Sequence, residues 1–182
     1  KAADKIEVVL KSKGFKNVYC YGMGVDLSKI EAAGSVSKNV VVSPAGLKAA
    51  LYLKERFGTP YEVYYPLVCD ILPNEMKEKF KDFEGKKVLV IHQQVIANSI
   101  RDEINRNVNC DVTVASWFML KKELKRVQDI PLLEEDQFVE LIEKGNYDII
   151  VGDNILKRAI TNFKGTYVST PHFAVSGKMD IS

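Results

Sequence analysis

A chain of 182 residues with 46% hydrophobic content is long enough to bury one or two cores, which excludes a disordered or disulfide-stapled polypeptide. Lys and Arg total 26 against 24 Asp and Glu, a net charge of +2 with the signs interleaved, so no basic face suited to nucleic acid is expected. The densest basic run, "KKELKR" at 121–126, reads as a solvated helix face, and no apolar run reaches the roughly 18 residues of a membrane span. With no signal peptide in sight, the expectation is a cytoplasmic protein with neither nucleic-acid nor membrane partners.

In chain order, "ADKIEVVLKSKG" spaces its apolar residues as a helix that stops at Gly14, and "KNVYCY" (16–21) reads as a buried strand. The loop "GMGVD" and a short helix over "LSKIEAA" follow. "NVVVS" is the second strand, residues 44–57 the second long helix, ending at Gly58, and "YEVYY" the third strand. Pro66 and Pro73 bracket a weakly periodic segment, and "EMKEKFKDF" reads as a polar helix suited to a connector.

Beyond it the alternation resumes with the strand "KKVLVIH", a helix from about Gln94 to Arg106 and the strand "CDVTVAS". A loop and a polar helix lead through Pro131 to the helix "EEDQFVELIEKG". The chain then continues with "YDIIVG" as a strand, "DNILKRAITNF" as a helix and "GTYVS" as a last strand. Strands alternating with helices imply parallel sheets, hence an α/β fold of two Rossmann-like lobes at 1–66 and 85–182, joined by a connector at 67–84.

The strand-to-helix turns limit the chemistry. "GMGVD" offers two glycines of a G-x-G-x-x-G and "IHQQ" offers none, which argues against a nucleotide site. "VSPAG" around Ser43 lacks the flanking glycines of a nucleophile elbow, so no catalytic residue is assigned. Ser43 before Pro44 is a favoured helix cap, yet a helix start off a strand end is also where a ligand gathers. His92 and His172 each follow a strand on the carboxyl side of a sheet, where a histidine is either a satisfied polar group or a ligand contact. Cys20, Cys69 and Cys110 are dispersed, fitting neither zinc spacing nor a disulfide framework, so no metal ligand is assigned. The chain opens on Lys1 and stops at "SGKMDIS", which reads as a piece excised from a longer protein.

The order of parts resembles the nitrogenase component 1 family: the molybdenum-iron protein chains, their cofactor-assembly scaffolds, and the dark-operative protochlorophyllide and related reductases. "VYCYGMGVDLSKIEAAGSVSKNVVVS" is similar to the family's strand, loop, "S-x-I-E" helix and following strand, and "AALYLKERFGTPYEVYYP" to its helix and "F/Y-G-x-P-aromatic" signature. "GKKVLVIH" and "YDIIVGDNILKRAITNFKGTYVSTPH" with the trailing "SG" are similar to the last Rossmann-like domain of those chains.

The resemblance implies the second and third domains of an oxidoreductase subunit that forms walls of a cofactor or substrate pocket. Electrons would come from an ATP-hydrolysing iron-sulfur partner, beside a homologous second subunit. An iron-sulfur cluster or metal cofactor is implied only for the full complex, none being expected in this piece, which would be inactive alone. At the position of Ser43 the molybdenum-iron alpha chain has a cysteine that binds the cofactor. A neutral hydroxyl is a poor ligand for such a soft site, and capping accounts for Ser43 at the pocket edge. His172, before "FAVSG", matches the family's cofactor-binding histidine with the spacing to "SG" one residue shorter. The loop glycines and methionine, Gly22, Met23 and Gly24, occupy the family's pocket loop. Two other readings compete: a non-catalytic cofactor-assembly scaffold of the same fold, and an unrelated two-lobed small-molecule-binding protein.

Overall fold

The structure, a computed structural model, describes residues 2–22, 25–78, 80–117 and 120–171. The chain divides into two compact units, Lys1–Leu67 and Val68–Ser182.

In the first unit, α1 (Ala2–Ser12) buries Ile6 and Leu10 on one face and carries a Glu7–Lys11 pair at 2.7 Å on the other. α2 (Leu27–Glu31) starts where Asp26 accepts from the Ser28 N–H at 3.0 Å, and it runs into a 3-10 turn over Ala32–Gly34. Two short strands, β1 (Asn39–Val41) and β2 (Tyr61–Val63), pair in parallel with Asn39 opposite Tyr61 and Val41 opposite Val63. Between them α3 (Leu47–Phe57) buries Leu47 and Ala50 and stops at Gly58, whose φ of 72° is the left-handed conformation that glycine adopts without strain. Gly34 is required for a different reason: a Cβ there would sit 2.7 Å from the Phe57 ring.

The expected strand over 16–21 is not formed. Residues 17–20 carry no ladder assignment, and Tyr19 and Tyr21 are 40% and 45% exposed. Tyr19 instead lies under the Lys29 ammonium, 5.3 Å from its ring centre. β propensity records how well a side chain packs on a half-buried pleated surface, and this aromatic run has no such surface here.

In the second unit, α4 (Val68–Ile71), α5 (Asn74–Glu78) and a 3-10 turn over Phe80–Phe83 come first. The segment read as a polar connector folds with this unit and buries Ile71, Leu72, Met76, Phe80 and Phe83, its two phenylalanines meeting edge to face. The charged residues of "EMKEKFKDF" hide an apolar stripe at helical spacing.

Five parallel strands follow in the spatial order β5-β4-β3-β6-β7: β3 (Lys87–Ile91), β4 (Asp111–Ser116), β5 (Asp129–Pro131), β6 (Ile149–Gly152) and β7 (Thr166–Ser169). Val88, Leu89, Val90 and Ile91 are all at most 1% exposed, because a central parallel strand is covered on both faces and reads as a continuous apolar run. α6 (Gln94–Asn107) buries Val95, Ile96, Ile100 and Ile104 at helical spacing, and α7 (Glu135–Gly145) brings Phe138 and Ile142 into the cluster of Leu89, Ile91, Leu132 and Ile150.

Two further elements differ from expectation. The polar helix expected before Pro131 is a 3-10 turn over Lys122–Leu124 followed by β5, whose Pro131 is tolerated because the strand lies at the sheet edge. The helix expected over "DNILKRAITNF" is a single 3-10 turn, Leu156–Ala159. Asp153 accepts from the Ile155 N–H at 2.9 Å and sets a tight turn at its start, while Ile160 and Phe163 go into the core. The architecture is therefore α/β, with parallel sheets of two and five strands flanked by helices.

Candidate functional site

The strand order places a topological switch point between β3 and β6. The chain winds outward from β3 through β4 to β5 on one side, and through β6 to β7 on the other. In open parallel sheets this is where the crossovers diverge and leave room at the carboxyl ends.

Those ends carry buried polar residues. His92 follows β3, Ser116 ends β4, Asp153 follows β6 and Thr170 follows β7, with exposures of 2%, 2%, 2% and 1%. Burial this complete requires partners. The His92 Nδ1 accepts from the Gln93 N–H at 2.8 Å, and its Nε2 lies 2.9 Å from the Pro171 carbonyl oxygen. A neutral imidazole protonated on Nε2 satisfies both, so the network assigns that tautomer. The Thr170 N–H donates to the Gly152 carbonyl at 2.8 Å. The chain leaving β7 is thus tied first to the end of β6 and then to the residue after β3. The Thr170 hydroxyl is buried with no hydrogen-bond partner among the described residues.

The two glutamines of "IHQQ" were not singled out from sequence, and both are structural. The Gln93 side chain caps α6 by accepting from Val95 N at 2.7 Å and Ile96 N at 3.1 Å, which uses donors that an anion would otherwise meet. Gln94 binds both the N–H and the carbonyl of Lys121, at 2.8 and 3.0 Å, and so fixes the loop beyond β4. Asp153 accepts from Ile155 through its side chain and from the Tyr167 hydroxyl through its carbonyl. Burial, then the nearby Asp153, pushes the Tyr167 phenol well above its ordinary value. The available sequence signal was positional: each of the four polar residues ends a strand or directly follows one.

Ser43 and Gly22 belong to the first unit. The Ser43 hydroxyl accepts from the Ala45 N–H at 3.4 Å, with Pro44 opening the following turn, so it is a cap at the carboxyl end of β1. Gly22 is exposed in a loop, where a Cβ would meet nothing within 4 Å. No hydrogen bond joins it to Ser43 among the described residues. Met23, Gly24 and His172 lie outside the described residues.

Among the described residues no group of three or more His, Cys, Asp and Glu side chains gathers as a metal site. All three cysteine thiols are held above their ordinary range, in each case mainly by burial. Nearby carboxylates add to it: Glu7 and Asp4 at Cys20, Glu103 at Cys69, and Glu84 and Asp111 at Cys110. Thiolate is the form that binds metal, and these surroundings disfavour it. The described residues alone therefore do not fit an iron-sulfur group.

Two open grooves of the second unit lie away from the switch point. One, of about 550 Å³, is walled by Leu132, Leu133 and Leu141 beside β5 and α7. The other, of about 380 Å³, is lined by Arg101, Arg126, Cys110 and Asp111. No described helix is long and apolar enough to cross a membrane.

No protein-family model matches the chain, and no curated protein matches it. Among solved structures it is similar to the glutamate racemase from Aquifex pyrophilus, at 20% identity and a TM-score of 0.34, with 92% of this chain and 62% of that one covered. The chain spans less than two thirds of that enzyme's length, and so loose a superposition bears on neither activity nor site residues.

Proposed function

We propose that the chain is part of a nitrogenase component 1-like oxidoreductase subunit, contributing the wall of a cofactor or substrate pocket in an ATP-dependent two-component reductase. The ordered motifs from "VYCYGMGVD" to "YVSTPH" support this, over nearly the whole length. The structural observation that supports it is the contact of the His92 Nε2 with the Pro171 carbonyl at 2.9 Å, which holds Pro171 at the carboxyl end of the second sheet, the end where ligands gather in such sheets. In this reading the cofactor- or substrate-binding role that the resemblance implies for His172 is kept, and Ser43 serves as a helix cap within the first unit. Ligands for an iron-sulfur group would then come from outside the described residues. The partners of this reading are a homologous second subunit and an ATP-hydrolysing iron-sulfur protein.

The test is purification of the full subunit with its associated chains under anaerobic conditions, followed by metal analysis and an assay of MgATP-dependent electron uptake. Stoichiometric iron and ATP dependence are expected. A full-length protein without iron, indifferent to any ATPase and saturable by a soluble metabolite, would overturn the proposal.

A further inference from the structure

We infer that His92 is a positioning residue, a latch that holds the chain leaving β7 across the carboxyl end of β6 and so shapes the switch point of the second sheet. The geometry has three parts. Ser169 pairs with Gly152 as the last register of β7 on β6, and the Thr170 N–H then bonds the Gly152 carbonyl at 2.8 Å. Next, the Pro171 carbonyl reaches His92, which follows β3 on the far side of β6. Finally, the Gln93 N–H occupies the other imidazole nitrogen at 2.8 Å, so the ring is fixed with its Nε2 proton directed to the strap.

Proline makes this anchor economical. It offers no N–H, so the carbonyl is its sole backbone hydrogen-bonding group, and its restricted φ limits the directions in which the chain can leave β7. Thr170 in the strap is 1% exposed, and its hydroxyl is unpartnered among the described residues. The ring nitrogens are bonded to the backbone of Gln93 and of Pro171, the latter 79 positions from His92, so the imidazole bridges two segments distant in sequence. The latch rests on the proposed function only in what it positions; its existence can be tested without it.

The experiment uses the whole chain with two variants. His92→Gln keeps an N–H donor of suitable reach, and His92→Leu removes both polar atoms. The first readout is amide hydrogen exchange at Thr170, with the amides of Val88–Ile91 as internal reference. His92→Leu is expected to speed exchange at Thr170 by roughly threefold to tenfold, the effect of losing one neutral hydrogen bond of ordinary net strength. The reference amides should be unchanged, and His92→Gln should restore protection. The second readout is the imidazole nitrogen and carbon shifts of His92, which should report the proton on Nε2. An Nδ1 proton, or equal acceleration at Thr170 and in β3, would overturn the latch. In the full complex, reduced cofactor occupancy in His92→Leu with recovery in His92→Gln extends the latch to the pocket. Equal occupancy in both variants would overturn that extension. A wild-type complex without cofactor would sink the proposed function and leave the exchange result to decide the latch.

Discussion

Arg101 of α6 and Asp129 of β5 form a buried ion pair, with Nη1 2.8 Å from Oδ1 and side-chain exposures of 6% and 0%. The contact lies at ion-pair distance but outside hydrogen-bond alignment, and the Arg101 Nε likewise has no hydrogen-bond partner among the described residues. The guanidinium also donates to the Asn98 side chain, and the other Asp129 oxygen accepts from Arg126 N at 2.9 Å. The pair thereby pins the edge strand to the helix that covers the sheet.

A buried pair contributes little net stability, yet removing one member leaves the other charged in an apolar surround. Asp129→Ala is expected to cost about 3–5 kcal/mol in urea unfolding, and Arg101→Met a comparable amount. The double variant should lose far less than the sum. Additive losses would show that the two charges do not depend on each other.

Ser43→Ala should lower stability by about 1 kcal/mol through the lost cap, toward the weak end because the bond is 3.4 Å long. Ser43→Asp, which keeps a capping oxygen, should stay near wild type. Thermal melts of the three proteins decide this, and a fully stable Ser43→Ala would remove the cap from the account.

Thr170→Val should raise stability by about 1 kcal/mol, since it removes a buried hydroxyl with no partner among the described residues. The same variant should lower cofactor occupancy in the full complex if that hydroxyl serves a ligand. A destabilised Thr170→Val would mean that the hydroxyl is satisfied in solution.

The raised phenol of Tyr167 links folding to alkaline pH. Its folded value lies above the unfolded one, so the stability it contributes is fully present below about pH 10 and is lost as pH rises toward the folded value. The urea midpoint of the wild type should therefore fall more steeply between pH 9.5 and about 11 than that of Tyr167→Phe. Parallel curves for the two proteins would contradict the shift.

His172→Ala in the full complex should lower turnover or cofactor occupancy while thermal stability of the chain is kept. Full activity in that variant would remove His172 from the pocket.

The strands that became β3, β4 and β6 were legible because "KKVLVIH", "CDVTVAS" and "YDIIVG" are apolar runs that a doubly covered parallel strand requires. The caps at Ser43 and Gly58 were legible for a similar reason, since the backbone there admits few residue types. Local chemistry acts within a few residues, and sequence displays it directly.

What it could not display were choices between partners. "KNVYCY" has strand composition and finds no ladder, whereas "DIP" has little and gains one from β4. "DNILKRAITNF" has helical spacing, yet the Asp153 turn and the burial of Ile160 cut it to one 3-10 turn. The role of His92 belongs to the same class. Sequence set it after a strand, but only the folded sheet brings Pro171, 79 positions on, within 2.9 Å of its ring. Composition and spacing thus determined the α/β alternation and the strand-end positions of the polar residues. Tertiary structure decided which of them meet, because a hydrogen bond between distant segments depends on strand order, and strand order is settled by packing the whole sheet.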